Sequence, residues 1–253
     1  MLVTKRLIGV APFPLETFRS YAEFEAYLAA SDAKRGLRWL HELSLASTEK
    51  SVTLNGTCGL CLAPTVFTAS TRGGEMAPNG RIPNWREGLA CGCGHRLINR
   101  QRALLHLLAA EERLRPWTRV LLMGEVLALK PFLSAVSDHV TAWPDPLDAG
   151  FAAPAPPRGG FHLILSVEQL TARLAQPKVF AELHKLLAPG GMIALTAPFD
   201  VDAPKAGVDG PLGWDVVDGL TTSGFSDVRV MSYWSEEFGY LGAFNMMLMA
   251  SRW

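Results

Sequence analysis

The 253-residue sequence has no excess of charge of either sign, because Lys plus Arg and Asp plus Glu each number 24. A chain without a basic surplus has no global electrostatic reason to bind nucleic acid or an anionic membrane surface. Zinc-dependent nucleic-acid binding is therefore disfavoured, and partners must be read from local features. No apolar run approaches the ~18 residues of a membrane span. The start, MLVTKRLIGVAPFPLETF, is basic, but its short apolar run is broken by Pro12 and Pro14 and no small-residue cleavage pattern follows, so no signal peptide is expected. There is no internal repeat. There is also no cysteine outside two short pieces, TCGLC at 57–61 and ACGCGH at 90–95. Together these absences point to a cytoplasmic protein, where thiols stay reduced and a clustered set of cysteines points to metal before disulfides.

What is present is apolar: 49% of the chain, enough to bury a sizeable core in one large domain or two small ones. From Leu15 to about Ser47, Phe18, Tyr21, Phe24 and Leu28, then Leu37, Leu40 and Leu43, recur at helical spacing with SDAK at 31–34 as a break, which predicts two helices. SVTLNGTCGLC reads as a short strand entering a turn, STRGGEMAPNGRIPNWREG as irregular chain, and LINRQRALLHLLAAEER as a helix burying Leu97, Leu104, Leu105 and Leu108.

Beyond Pro116 strand and helix alternate, the pattern of a mainly parallel α/β sheet. Strands are expected at 119–123, 139–143, 161–166, 191–197, 227–233 and 245–251, and helices at 126–136, about 169–188 and about 213–223. This predicts a mostly helical, zinc-binding module over 1–117 and an α/β domain over 118–253. The prolines of AGFAAPAPPRGG at 149–160 predict an extended loop.

The cysteines fall into Cys58-x-x-Cys61 and Cys91-Gly92-Cys93. Tetrahedral zinc takes four thiolates at ~2.3 Å, and a glycine between two cysteines lets the chain curl so that both reach one point. Cys58, Cys61, Cys91 and Cys93 are thus the expected metal ligands. Four separately buried thiols, a redox pair at 58 and 61, and iron–sulfur ligation by the same four sulfurs stay open, as does His95 in place of one cysteine. Arg86, Arg96 and Arg100 stand near enough in sequence to offset the two negative charges of a four-thiolate zinc centre, or HRLINRQR is the solvated, basic start of a helix.

The run FHLILSVEQL…VFAELHKLLAPGGMIALTAPFD at 161–200, with GWDVVDGLTTSGFSDVRVMSYWS…NMMLMASRW closing the chain, resembles the second half of the class I S-adenosylmethionine-dependent methyltransferase fold. The cysteine pairs with PNWREGLACGCG…NRQRALLHLL are similar to bacterial methyltransferase-like proteins carrying such a segment ahead of the domain. The resemblance covers about 119–253 and implies an abridged Rossmann-like sheet: the loop after the first strand, MGEVLAL, holds a single glycine, and 144–160 is too short for the helix and strand that the ordinary fold inserts there. It further implies a cofactor over the C-terminal ends of the first strands, beside Gly124, Glu125, Asp145, Ser166, Val167 and Glu168, with Asp148 an alternative to Asp145 at the ribose.

Tyr233, Tyr240 and His162 are candidates on the side of the methyl acceptor. The function so implied is methyl transfer from S-adenosylmethionine to a small-molecule or sugar acceptor, with a structural zinc site and a homo- or hetero-oligomer left open. The rival is a degenerate relative without cofactor binding that serves as a binding or assembly subunit.

Overall fold

A computed structural model describes residues 10–143, 153–171, 175–207 and 210–253. In chain order the elements are β1 (Leu15–Phe18), α1 (Tyr21–Ala30), α2 (Asp32–Ser44), β2 (Ser51–Cys58), β3 (Ala63–Ser70), β4 (Glu75–Ala77), β5 (Gly80–Ile82), β6 (Ala90–Cys91), α3 (Asn99–Ala110), β7 (Arg119–Met123), α4 (Val126–Val136), β8 (His139–Trp143), β9 (Phe161–Val167), α5 (Pro177–Leu186), β10 (Leu187–Thr196), α6 (Asp215–Thr222), β11 (Ser226–Ser235) and β12 (Tyr240–Ser251).

A seven-stranded sheet runs in the order β1-β11-β12-β10-β9-β7-β8. β8, β7, β9 and β10 are mutually parallel, β12 is antiparallel to both β10 and β11, and β1 is antiparallel to β11. Its central strands read as unbroken apolar runs because both faces are covered. On one face Leu122, Leu165 and Ala194 pack with Leu104 and Leu108 of α3 and Leu133 of α4. On the other, Leu121, Ile164 and Ile193 pack with Phe180 and Leu183 of α5, Leu220 of α6 and Phe24 of α1. Alternation along each strand sends successive side chains to opposite cores.

The expected strands and helices of the second half are present, with two corrections. The helix expected over 169–188 begins only at Pro177, where the fixed φ of proline suits the first helical position. The strand expected at 191 begins at Leu187, and Pro189-Gly190-Gly191 lies inside it as a register irregularity between Leu187 and Met192.

The first half departs further from expectation. Leu15–Phe18 is a strand, because β11 offers it a free edge: Leu15 pairs with Tyr233 and Phe18 with Val230. The module expected to be mostly helical carries a three-stranded sheet, β2-β3-β6, and the β4–β5 hairpin inside the stretch read as irregular. Local periodicity reports amphipathicity but is silent about short strands that form only against a partner.

α3 is the largest correction. Its basic start is not solvated: Asn99 through Ala109 are all buried, Arg102 completely, because the helix runs between the small sheet and the large one. Arg102 donates to the carbonyls of Phe238, Leu89 and Gly239 at 2.7–2.9 Å, and its guanidinium lies 4.1 Å from the Phe67 ring centroid. A buried arginine is tolerated when its terminal N–H groups are engaged in this way, although the Arg102 Nε has no hydrogen-bond partner among the described residues. The boundary expected near 117 is a connection between α3 and β7, but β1 and α3 pack into the large sheet and its core.

Candidate functional site

Cys58 ends β2, and the turn Gly59-Leu60-Cys61 returns the chain into β3, closed by the Leu62 N–H donating to the Cys58 carbonyl at 2.8 Å. Leu62 takes a left-handed φ of 55° there. Gly59 is dictated by contact: a Cβ at this position would stand 2.1 Å from Nδ1 of His106. Cys91 is placed by β6, opposite Phe67 of β3, and Cys93 follows in a turn whose Arg96 N–H donates to the Cys93 carbonyl at 3.1 Å.

The four sulfurs lie within 4.8 Å of one another, with Cys58 and Cys91 buried and Cys61 and Cys93 half-buried. Four sulfurs at ~2.3 Å from one tetrahedral ion stand about 3.8 Å apart, so these four could hold a metal with small adjustments. The Cys93 N–H donates to the Cys91 sulfur at 3.3 Å, and the Thr65 hydroxyl lies 3.5 Å from it. Hydrogen bonds from the Cys58 and Cys61 thiols pull the Cys91 pKa down, while the Cys61 pKa is pushed up by its bond with Cys58. His95 is not part of this group: its ring packs edge-on against Phe132, with centroids 5.3 Å apart.

Two of the arginines expected to offset the thiolates, Arg86 and Arg100, are engaged elsewhere, and Arg96 is exposed. Arg86 donates to Glu168 (Nη2 to Oε1, 2.6 Å) and to Glu87, and Arg100 makes a two-point pair with Glu125 while its Nε donates to Glu87 at 2.8 Å. Gln101 adds a third bond to Glu125 at 2.7 Å. Burial works against charge on Glu125, but hydrogen bonds from Arg100 and Gln101 outweigh it and hold the carboxyl below its usual range. Three carboxylates to two guanidinium groups leave this edge one negative charge.

The cluster stands at the C-terminal ends of β7 and β9, where two parallel strands with opposite crossover directions leave a crevice. Glu125 caps the start of α4 and Glu168 follows β9, both at left-handed φ of 43° and 58°. Gly124, at φ +73°, is needed for packing: a Cβ would stand 2.3 Å from the Val167 carbonyl oxygen and 2.4 Å from the Gln169 Cγ. Val167 is buried in the core, and Ser166 is buried with a hydroxyl that has no partner among the described residues, like that of Thr196 on β10. Asp145 and Asp148 lie outside the described residues.

Of the acceptor-side candidates, Tyr233 and Tyr240 pack edge-on with ring centroids 5.8 Å apart, while His162 stands away from them. His162 lies near the start of β9, at the opposite end of the sheet, and takes the Arg119 N–H at 3.1 Å. Tyr240 is buried against His106, hydroxyl to Nδ1 2.9 Å. Tyr233, buried at the end of β11, has an unpartnered hydroxyl among the described residues. Sequence reasoning missed Glu87 and the Arg86–Glu168 link, for which no motif gives a signal. No helix among the described residues is long and apolar enough to cross a membrane.

No family profile matches the sequence, and neither does any curated protein. Among solved structures the chain is similar to a Galdieria sulphuraria protein provisionally assigned as a sarcosine dimethylglycine methyltransferase (16% identity, 51% of this chain and 61% of that one, TM-score 0.40). It is similar also to the CurJ carbon methyltransferase (13%, 63% and 55%, 0.38) and to the N-methyltransferase NodS from Bradyrhizobium japonicum WM9 in complex with S-adenosyl-L-homocysteine (18%, 60% and 84%, 0.40). The chain spans less than two thirds of the first two. These likenesses are distant, and the strand order stands independently of them.

Proposed function

We propose that this chain transfers a methyl group from S-adenosylmethionine to a small-molecule acceptor, in the cytoplasm, and that its four cysteines hold a structural zinc ion. One observation carries the reading: parallel strands in the order β8-β7-β9-β10, followed by β12 running the other way between β10 and β11. This order supports the resemblance drawn from 119–253, with β8 the edge strand among the described residues and β1 added at the far edge. The crevice between the ends of β7 and β9 is where such sheets take their ligands.

The residues at that edge suit a cation. When bound, the cofactor supplies an electrophilic methyl on a sulfonium sulfur, and the one negative charge left by Glu87, Glu125 and Glu168 against Arg86 and Arg100 complements it. Ser166 and Thr196 keep hydroxyls, unpartnered among the described residues, at adjacent strand ends for polar parts of the ligand, and Glu125 and Glu168 act from fixed positions because arginines hold them. Gly124 and Val167 shape the floor, with Asp145 beyond the second strand as the candidate for the ribose. Such a transfer mainly needs its acceptor aligned and kept from water, so a strong base is not a requirement.

The metal site reads as structural because the protein itself supplies four thiols, the full set that a closed tetrahedral zinc site takes. Calorimetric titration with S-adenosylmethionine and S-adenosylhomocysteine tests the reading. Saturable binding of both supports it. No binding at millimolar cofactor removes it and leaves an assembly subunit in its place.

A further inference from the structure

Glu42 of α2 is 3% exposed, although it is a carboxylate on a helix whose other residues are largely open to solvent. Its Oε1 accepts the Trp234 indole N–H at 2.7 Å and the Gly242 backbone N–H at 2.8 Å, while Oε2 has no hydrogen-bond partner among the described residues. Two cavities meet at it. One, of about 420 Å³, runs between the 73–86 segment and the start of β12; the other, of about 290 Å³, lies between α1, α2 and the ends of β11 and β12. Trp39, Glu42, Gly242 and Ala243 line both.

The larger cavity reaches the sheet edge already described. Arg86 lines it, and the same guanidinium holds Glu168 at the end of β9. Its charged lining is Glu42, Glu75 and Arg86, and Arg86 is already engaged by Glu87 and Glu168, so the free charge facing the space is negative. In the smaller cavity Asp32 pairs with Arg35, and Arg38 stacks over the Trp234 ring at 5.3 Å. Trp39 and Trp85 give the larger space flat apolar walls, and the Trp85 indole N–H is buried without a partner among the described residues.

We propose that this cavity is the acceptor site, that it takes a primary or secondary amine carried on a flat apolar body, and that Oε2 of Glu42 anchors the nitrogen. The substrate class rests on the methyltransferase reading; the amine site itself does not. Aromatic walls favour an ammonium over a carboxylate, and a buried acid with one free oxygen supplies its counter-charge. An amine reacts only once its lone pair is free. Burial pushes the Glu42 pKa up, the direction that favours proton uptake by this carboxylate from a bound ammonium.

The test uses benzylamine and phenylacetate as matched probes, titrated into the intact metal-bound protein and followed by tryptophan fluorescence. The expected result is saturable benzylamine binding with a millimolar Kd, as befits so small a ligand, and no saturable response to phenylacetate. Glu42→Gln should weaken benzylamine at least about tenfold while leaving S-adenosylmethionine affinity unchanged. Ala243→Trp, at an exposed position lining both cavities, should block benzylamine without altering the circular dichroism. Absence of benzylamine binding, equal binding of phenylacetate, or an unchanged Kd in Glu42→Gln overturns the amine site. Benzylamine binding in a protein that ignores S-adenosylmethionine leaves that site standing and removes only the methyltransferase reading.

Discussion

Arg100 and Glu125 face each other as a two-point ion pair, Nη1 to Oε2 at 2.8 Å and Nη2 to Oε1 at 2.5 Å, so the acid that follows the lone glycine of the first loop is held by a helix of the other half of the chain. Arg100 is 6% exposed and Glu125 24%, which places the pair between the surface and fully buried cases. Glu125→Gln therefore lowers stability, by about 1–3 kcal/mol, because Arg100 loses half of its compensation. Urea unfolding of Glu125→Gln, Arg100→Met and the double variant should give a coupling of about 1–2 kcal/mol. Additive losses would mean that the two act independently.

Metal analysis of protein purified without chelator should find one zinc per chain, held by Cys58, Cys61, Cys91 and Cys93. A strong chelator, or Cys61→Ser, should expose the β2–β3–β6 sheet to protease, since the binding free energy of a structural site is largely folding free energy. A coloured protein rich in iron would instead assign the sulfurs to an iron–sulfur cluster.

His106 sets a pH dependence. Buried, next to Arg102, and hydrogen-bonded to Ala11 O at 2.8 Å, it has its pKa lowered to about 4, chiefly by burial. The unfolded chain takes up this proton as pH falls through about 6.5, whereas the folded chain resists until about 4. The stability tied to neutral His106 is thus complete above about 6.5 and lost progressively toward 4, amounting to roughly 3 kcal/mol. Urea midpoints at several values of pH should fall across that window, and His106→Gln should flatten the fall. An identical slope in the variant would transfer the effect to other groups.

Arg102→Met should destabilise by about 3 kcal/mol or more, because the carbonyls of Phe238, Leu89 and Gly239 would be left buried without donors. Arg102→Lys should recover only part of this, since an ammonium cannot repeat the planar fork. Thermal melts of the two variants beside the unmodified protein check the order. A neutral Met variant would show that water replaces the guanidinium.

Much of the second half was legible along the chain. RVLLM and FHLIL are covered on both faces, and such strands announce themselves as short apolar runs between turns wherever they sit. The cysteine cluster was legible for a different reason: Cys58-x-x-Cys61 and Cys91-x-Cys93 each bring two thiols to one point by local geometry, and only their convergence needed the fold. What sequence could not carry is whatever depends on a partner distant in the chain. Leu15–Phe18 is a strand because β11 is there, and Asn99, Arg100, Gln101 and Arg102 are buried because two sheets close over the helix they begin. Glu125 and Glu168 are ion-paired because Arg100 and Arg86 arrive from the first half, and Glu42 stands between two cavities because α2 lies against the end of β11 and the start of β12. Periodicity and turn chemistry are properties of neighbours along the chain, whereas charge pairing and enclosure belong to neighbours in space.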